Sequence, residues 1–217
     1  SEPRVEVEPP KTLRSAVIDP LLEYFGRPNA LWILAFILLY KIGDTMATAI
    51  STPFYLDIGF SKTEIGAVVK LFGFWASFGG SLIAGIVMIR LGINRSLWIF
   101  GILQAVTILG FAALARIGHS VWALSAVIAA EHLTAGMGTS AYTAFMASIT
   151  HKKFTATQYA LLSGLMGIPR VIVSAPTGVL AKYLGWEMFF VFCTATAIPG
   201  MILLLKFAPW KNKSDVS

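Results

Sequence analysis

The 217-residue sequence predicts an all-α membrane protein, a bundle of six transmembrane helices. Three observations predict it. Hydrophobic residues make up 56% of the chain and charged residues only 13%, whereas a soluble domain carries about a quarter charged residues. Half that supply cannot cover a surface facing water, so the lipid bilayer is part of the solvent. Six apolar blocks each reach the roughly 20 residues that cross a hydrocarbon core of about 30 Å. Short connections join them, which makes consecutive helices antiparallel neighbours. Disorder, coiled coil and a disulfide scaffold are excluded, the last because Cys193 is the single cysteine. One cysteine and three scattered histidines leave no metal cluster, and no cofactor is expected.

Residues 1–30 read as a cytoplasmic linker. Ser1–Pro10 is rich in proline and glutamate, while Leu13, Val17, Leu21 and Phe25 recur at four-residue steps. That spacing gives a short amphipathic helix, suited either to the membrane surface or to an ordinary solvated linker. Nothing here resembles a signal peptide, and a start on serine suggests a piece of a longer protein. The bundle occupies 31–207, in blocks Leu31–Tyr55, Glu64–Arg90, Ser96–Ile117, Val121–Thr150, Thr157–Leu184 and Trp186–Phe207. Ser61-Lys-Thr-Glu64 is a capping box opening helix two, and Thr155-Ala-Thr-Gln158 is similar for helix five. Gly92 and Gly185 fall in the turns after helices two and five, where a left-handed residue is convenient. Residues 208–217 form a cytoplasmic tail.

Loop charges orient the bundle. With a cytoplasmic N-terminus, that side collects Arg4, Lys11, Arg14, Arg27, Arg90, Arg95, Lys152, Lys153, Lys206, Lys211 and Lys213. The opposite side holds Lys62, Arg116 and Lys182. This is a positive-inside bias, with both termini cytoplasmic. It accounts for the net charge of +6 without nucleic acid.

Five ionisable residues lie inside the blocks: Lys41 and Asp44 on helix one, Lys70 on helix two, Glu131 on helix four and Arg170 on helix five. Each costs about 2.5–3.5 kcal/mol at mid-helix, so they face one another or a watery cavity rather than lipid. Lys41, Asp44, Glu131 and Arg170 sit about 15–20 Å from their helix starts, near the midplane, and Lys70 lies shallower. Helical spacing extends them into stripes: Lys41, Asp44, Thr48 and Ser51; Lys70, Gly73, Ser77 and Ser81; Glu131, Thr134, Gly138 and Tyr142; Ser163, Gly167, Arg170, Ser174 and Thr177. Helices three and six carry no internal charge and are expected to face lipid. Two copies of a polar, polar, plain unit are the repeat from which secondary transporters build half-bundles. Ala76, Gly80 and Ala84 form a small-residue row for close helix contact. Ala135–Ala141 is expected to loosen helix four, and Pro169 and Pro176 to free carbonyls around Arg170.

Several stretches together resemble AmpG-type muropeptide permeases of the major facilitator superfamily. They are Leu39-Tyr-Lys-Ile-Gly-Asp44, Gly136-Met-Gly-Thr-Ser-Ala141, Phe154-Thr-Ala-Thr-Gln-Tyr-Ala-Leu-Leu-Ser163, Gly101-Ile-Leu-Gln104, Gly185-Trp186 and Ile198-Pro-Gly-Met-Ile-Leu-Leu-Leu205. The resemblance covers nearly all of 12–207. It implies helices seven to twelve of a twelve-helix core, with an N-terminal six-helix half as the missing partner. It further implies proton-driven import of anhydro-muropeptides, released in cell-wall recycling, across a bacterial inner membrane. Related eukaryotic members resemble acetyl-CoA carriers, an alternative for the solute. Two positions depart from the family. The loop Arg90-Leu-Gly-Ile-Asn-Arg95 lacks the Asp of the superfamily's gating motif, and His132 stands after Glu131 where the family pattern has Asn.

The embedded groups suit an anionic glycopeptide. Arg170 is the first candidate for a bidentate carboxylate contact, ahead of Lys41 and Lys70. Tyr142 could stack on a sugar ring or simply fill the core. Lys41 could equally serve a salt bridge with Asp44 in its own helix. The coupling proton needs a deep acid. Glu131, with no cation on its own helix face, is favoured over Asp44, unless it pairs permanently with Arg170. Two other classes stay in view: a non-transporting membrane receptor and an intramembrane hydrolase. The second is disfavoured, because Gly138-Thr-Ser140 resembles a protease serine turn but His151 lies about 16 Å along the helix from Ser140. A zinc H-x-x-E-H site fails because position 128 is Ile. No enzyme activity is expected.

Overall fold

The computed structural model describes residues 19–26, 29–150, 155–165 and 167–207. Leu13, Val17 and the 208–217 tail lie outside the described residues. The end of the leader is a short helix, α1 (Asp19–Phe25). Its Tyr24 is buried in the bundle, and the Gln158 amide donates to the Glu23 carboxylate, so this turn docks on the protein. Gln158 is thereby used as an anchor between segments.

Helix one is three pieces: α2 (Ala30–Tyr40), α3 (Ile42–Ala49) and α4 (Ser51–Asp57). It breaks at Lys41 (φ −101°, ψ 4°) and at Ile50 (φ −120°, ψ 17°). Pro53 explains the second break, since it has no N–H for the carbonyl of Ala49 and its ring crowds that carbonyl. The first break lies where the backbone is pressed onto the last helix, α11 (Trp186–Phe207). A Cβ on Gly43 would come within 2.3 Å of the Cys193 oxygen, and one on Gly200 within 2.6 Å of the Tyr40 Cα.

Helix two opens as α5 (Lys62–Val68) on the expected capping box, with both the Ser61 and Glu64 side chains engaged. It passes through a π-helical turn at Val69–Gly73 and continues as α6 (Phe74–Ile117). The α6 segment doubles back at Gly92, where φ is 79° and ψ 164°, so its two arms are helices two and three. Gly185 turns the chain with φ 74° and ψ 159°. Both residues have the positive φ expected of them, but with an extended ψ that essentially only glycine adopts. Nothing lies within 4 Å of a Cβ built on Gly92. Gly92→Ala is therefore expected to cost about 1–3 kcal/mol from backbone strain alone, read as a lower unfolding temperature in detergent.

Helix four, α7 (Val121–Ile149), is unbroken through the 135–141 stretch that was expected to loosen it. Its glycines serve close packing instead: a Cβ on Gly136 would lie 2.5 Å from the Ser77 oxygen, and one on Gly138 2.9 Å from the Gln104 Oε1. Helix five is divided into α8 (Thr155–Leu165), α9 (Gly167–Ile172) and α10 (Thr177–Leu184), with turns at 173–176. Helices three and six are not merely lipid-facing. Leu97, Phe100, Gln104, Ile108 and Phe111 are buried while Ile102, Leu103 and Val106 on the same helix are exposed, and α11 packs against both α3 and α6.

Ala30–Asp57, Lys62–Ile117 and Thr177–Lys206 are each long and apolar enough to cross a bilayer, and the second does so twice by reversing at Gly92. The chain is an all-α, multi-pass membrane protein. Its core consists of two apolar clusters. One gathers Phe54, Phe111 and Phe190, with ring centroids 4.8 Å apart for Phe54–Phe190 and 5.1 Å for Phe111–Phe190. The other gathers Phe36, Tyr40, Tyr142 and Phe145. Residues 41–45, 101–107 and 131–134 fall in sequence between the two sets, and there the polar groups meet.

Candidate functional site

The polar layer starts at the first break of helix one. Lys41 Nζ lies 2.9 Å from Asp44 Oδ2 and donates to Gln104 Oε1 at 3.3 Å, which ties helix one to helix three. Asp44 Oδ1 and Gln104 Nε2 are buried without a hydrogen-bond partner. Across helix three, the Thr107 and Thr134 hydroxyls are 2.9 Å apart and reach helix four. Glu131 follows one turn away and is 3% exposed. Its Oε2 lies 2.7 Å from Nδ1 of His132. Ser77 on helix two donates to the His132 carbonyl at 3.4 Å.

A cavity of about 300 Å³ adjoins this layer, lined by Asp44, Thr45, Thr48, Ala49 and Ser174. It lies between the second break of helix one and the unwound 173–176 segment of helix five. Unwound or discontinuous helices are where transporters place substrate and ion contacts, because backbone groups freed there are satisfied by the cargo. The cavity wall is polar for the same reason. Thr48 turns its hydroxyl back to the Asp44 carbonyl at 2.8 Å, and Ser51 does so to the Thr48 carbonyl at 3.0 Å.

The residues singled out from the sequence are not all brought together. Lys41 and Asp44 pair as one contact in the polar layer. Glu131 lies in the same layer but meets His132, a neighbour that a face-based reading passes over, since adjacent residues on a helix diverge. Lys70 is exposed on the π-helical turn. Tyr142 is fully buried, stacks on Tyr40 at 5.5 Å and donates to the Ile37 carbonyl, so its ring packs within the aromatic cluster away from the cavity lining. Arg170 is on α9, beside α3, and its side chain lies outside the described residues. Gln104 and His132 are the additions. The signal for Gln104 was a lone amide on an otherwise apolar helix; for His132 it was the departure from the family pattern.

Comparison with known proteins agrees with this architecture. The Major Facilitator Superfamily model matches residues 31–216. An uncharacterized protein of Haemophilus influenzae is 40% identical over 99% of this chain and 53% of its own length. The anhydromuropeptide permease of Escherichia coli K12 is 42% identical over 94% of this chain and 42% of its own. A putative transporter, AmpG 4, of Rickettsia conorii is 37% identical over 88% of this chain and 46% of its own. The chain thus spans about half the length of the curated relatives it matches, and the resemblance to AmpG-type permeases holds along nearly all of it. The Escherichia coli and Rickettsia relatives carry transport names, and the family is one of transporters, not of enzymes. With a family match from residue 31 to residue 216 laid over a broken-helix bundle and its buried polar layer, the chain belongs to the Major Facilitator Superfamily.

Proposed function

We propose that this chain is the C-terminal six-helix half of a proton-coupled transporter that imports anhydro-muropeptides across a bacterial inner membrane, with both ends of the segment cytoplasmic. The observation that carries the reading is the polar layer and adjoining cavity between broken helices, in a chain 42% identical to a permease named for that solute. The loop charges support the orientation. Lys70 supports a second bundle: it is exposed on helix two within a stretch apolar enough to span. A charge there needs a partner from outside this bundle. The missing six-helix half is that partner, and alternating access requires two bundles rocking about the shared site.

In this reading Arg170, with Lys41 and Lys70, contacts the carboxylates of the glycopeptide, while Glu131 or Asp44 carries the proton. Uptake of radiolabelled anhydro-muropeptide by the complete protein in proteoliposomes tests it. Arg170→Lys keeps the charge but loses the planar fork, and is expected to raise the half-saturation concentration. Arg170→Ala is expected to raise it further, by about 10- to 100-fold, as for a charge-assisted contact of about 1.5–3 kcal/mol. Equal uptake by wild type and both variants removes Arg170 from the site. Uptake of acetyl-CoA in place of the muropeptide would move the solute class.

A further inference from the structure

Glu131 and His132 form a contact with two unlike sides. The Glu131 side chain is 4% exposed, and the His132 side chain 32%. Nδ1 stands 2.7 Å from Oε2, at ion-pair distance, but is not aligned as a hydrogen bond in this conformation. The other edge of the ring lies against Gly73, where a Cβ would come 2.9 Å from Cδ2 and 3.0 Å from Nε2. Gly73 closes the π-helical turn, an irregularity that recurs at functional sites. The imidazole thus occupies a slot that exists only because residue 73 has no side chain.

We infer that His132 is the residue through which Glu131 exchanges its proton with water. This rests on the reading of Glu131 as the coupling acid. The imidazole is the one side chain whose ordinary titration lies near neutrality, and it stands partly exposed beside the nearly sealed carboxylate. The step balances within the pair. Imidazolium carries a proton on each nitrogen; transfer from Nδ1 to Oε2 leaves a neutral imidazole protonated at Nε2 and a neutral carboxylic acid. Surrounding groups do not replace either member. From α3 comes Asp44, already paired with Lys41. From α4 comes the Tyr55 phenol, from the π-helical turn the exposed Lys70, and from α5 Glu64, held by Ser61 and His119. The near stretches of α6 offer the neutral Ser77, Gln104 and Thr107, and α8 offers Tyr159. Arg170 stands on α9, against α2, α3 and α8.

The test uses the complete protein in proteoliposomes, an imposed proton gradient and radiolabelled anhydro-muropeptide. His132→Asn is expected to lower gradient-driven accumulation on the order of a hundredfold, the usual contribution of a positioned proton-transfer group, and to flatten the pH profile of uptake. Gly73→Ala, which crowds the His132 ring and replaces neither titrating group, shifts both in the same direction. Wild-type accumulation and pH profile in His132→Asn overturn the inference. If Glu131→Gln is uncoupled in that assay, the Glu131 reading survives alone; if Glu131→Gln stays coupled, both fail. Should His132→Asn not fold, nitrogen-15 spectra of the His132 ring, with the other histidines replaced, decide the matter. Introducing Glu131→Gln is expected to move the pH midpoint of the ring signals. An unmoved midpoint means that the two side chains share no proton, and the inference falls.

Discussion

Under the proposed coupling role of Glu131, Glu131→Gln is expected to reduce the accumulation of anhydro-muropeptide against its gradient to simple equilibration, while exchange of substrate for substrate falls by a much smaller factor. Glutamine copies the size and polarity of the protonated acid but cannot release a proton, so the loaded and unloaded states of the coupling site become one. Burial makes the effect large. At 3% exposure the Glu131 carboxyl is sealed from bulk water, so what it meets is set by whatever the conformation brings near. Asp44 is the other deep acid among the described residues, and it has Lys41 at 2.9 Å. Counterflow and gradient-driven uptake, measured on the same proteoliposomes, separate the outcomes. Expression and exchange lost together would make Glu131 a structural partner. Full accumulation would pass the proton to Asp44.

Gly80→Val is expected to be the most destabilising change in the bundle, at about 3 kcal/mol, the upper end for overpacking. A Cβ on Gly80 would sit 2.1 Å from the Leu133 oxygen and 3.2 Å from its Cα. The obstacle is backbone, which cannot swing aside as a side chain would. Gly136 makes the reciprocal contact on helix four with the Ser77 oxygen, so helices two and four touch along their main chains. Leu133 follows His132 directly, and pushing the helices apart at Gly80 also disturbs the Glu131–His132 contact. Thermal unfolding in detergent measures the effect, with Gly79→Val as control, because nothing lies within 4 Å of a Cβ there. Equal unfolding temperatures for the two variants would mean that helices two and four do not approach this closely.

The sequence by itself determined the solvent, the helix count, the capping box at Ser61, the reversals at Gly92 and Gly185, and the pairing of Lys41 with Asp44 as a possibility. These follow from local chemistry: segment length, a cap at fixed spacing, a backbone region open to glycine alone, a reach of one turn. The small-residue row was legible as well, through Gly80. Only the tertiary structure decided which apolar faces meet protein and which meet lipid. In a membrane both surroundings are apolar, so hydrophobic periodicity carries no sign of the difference. For that reason helix three read as plain, although Gln104 holds Lys41 from it, and Tyr142 read as a ligand stripe residue, although its ring stacks on Tyr40. The break at Lys41 and the π-helical turn before Phe74 were equally invisible, since each lies where one backbone presses on a neighbouring helix or ring. The Glu131–His132 contact completes the set. Helix geometry sends adjacent side chains apart, and here they meet in the packed bundle, with the ring lodged against the bare Cα of Gly73.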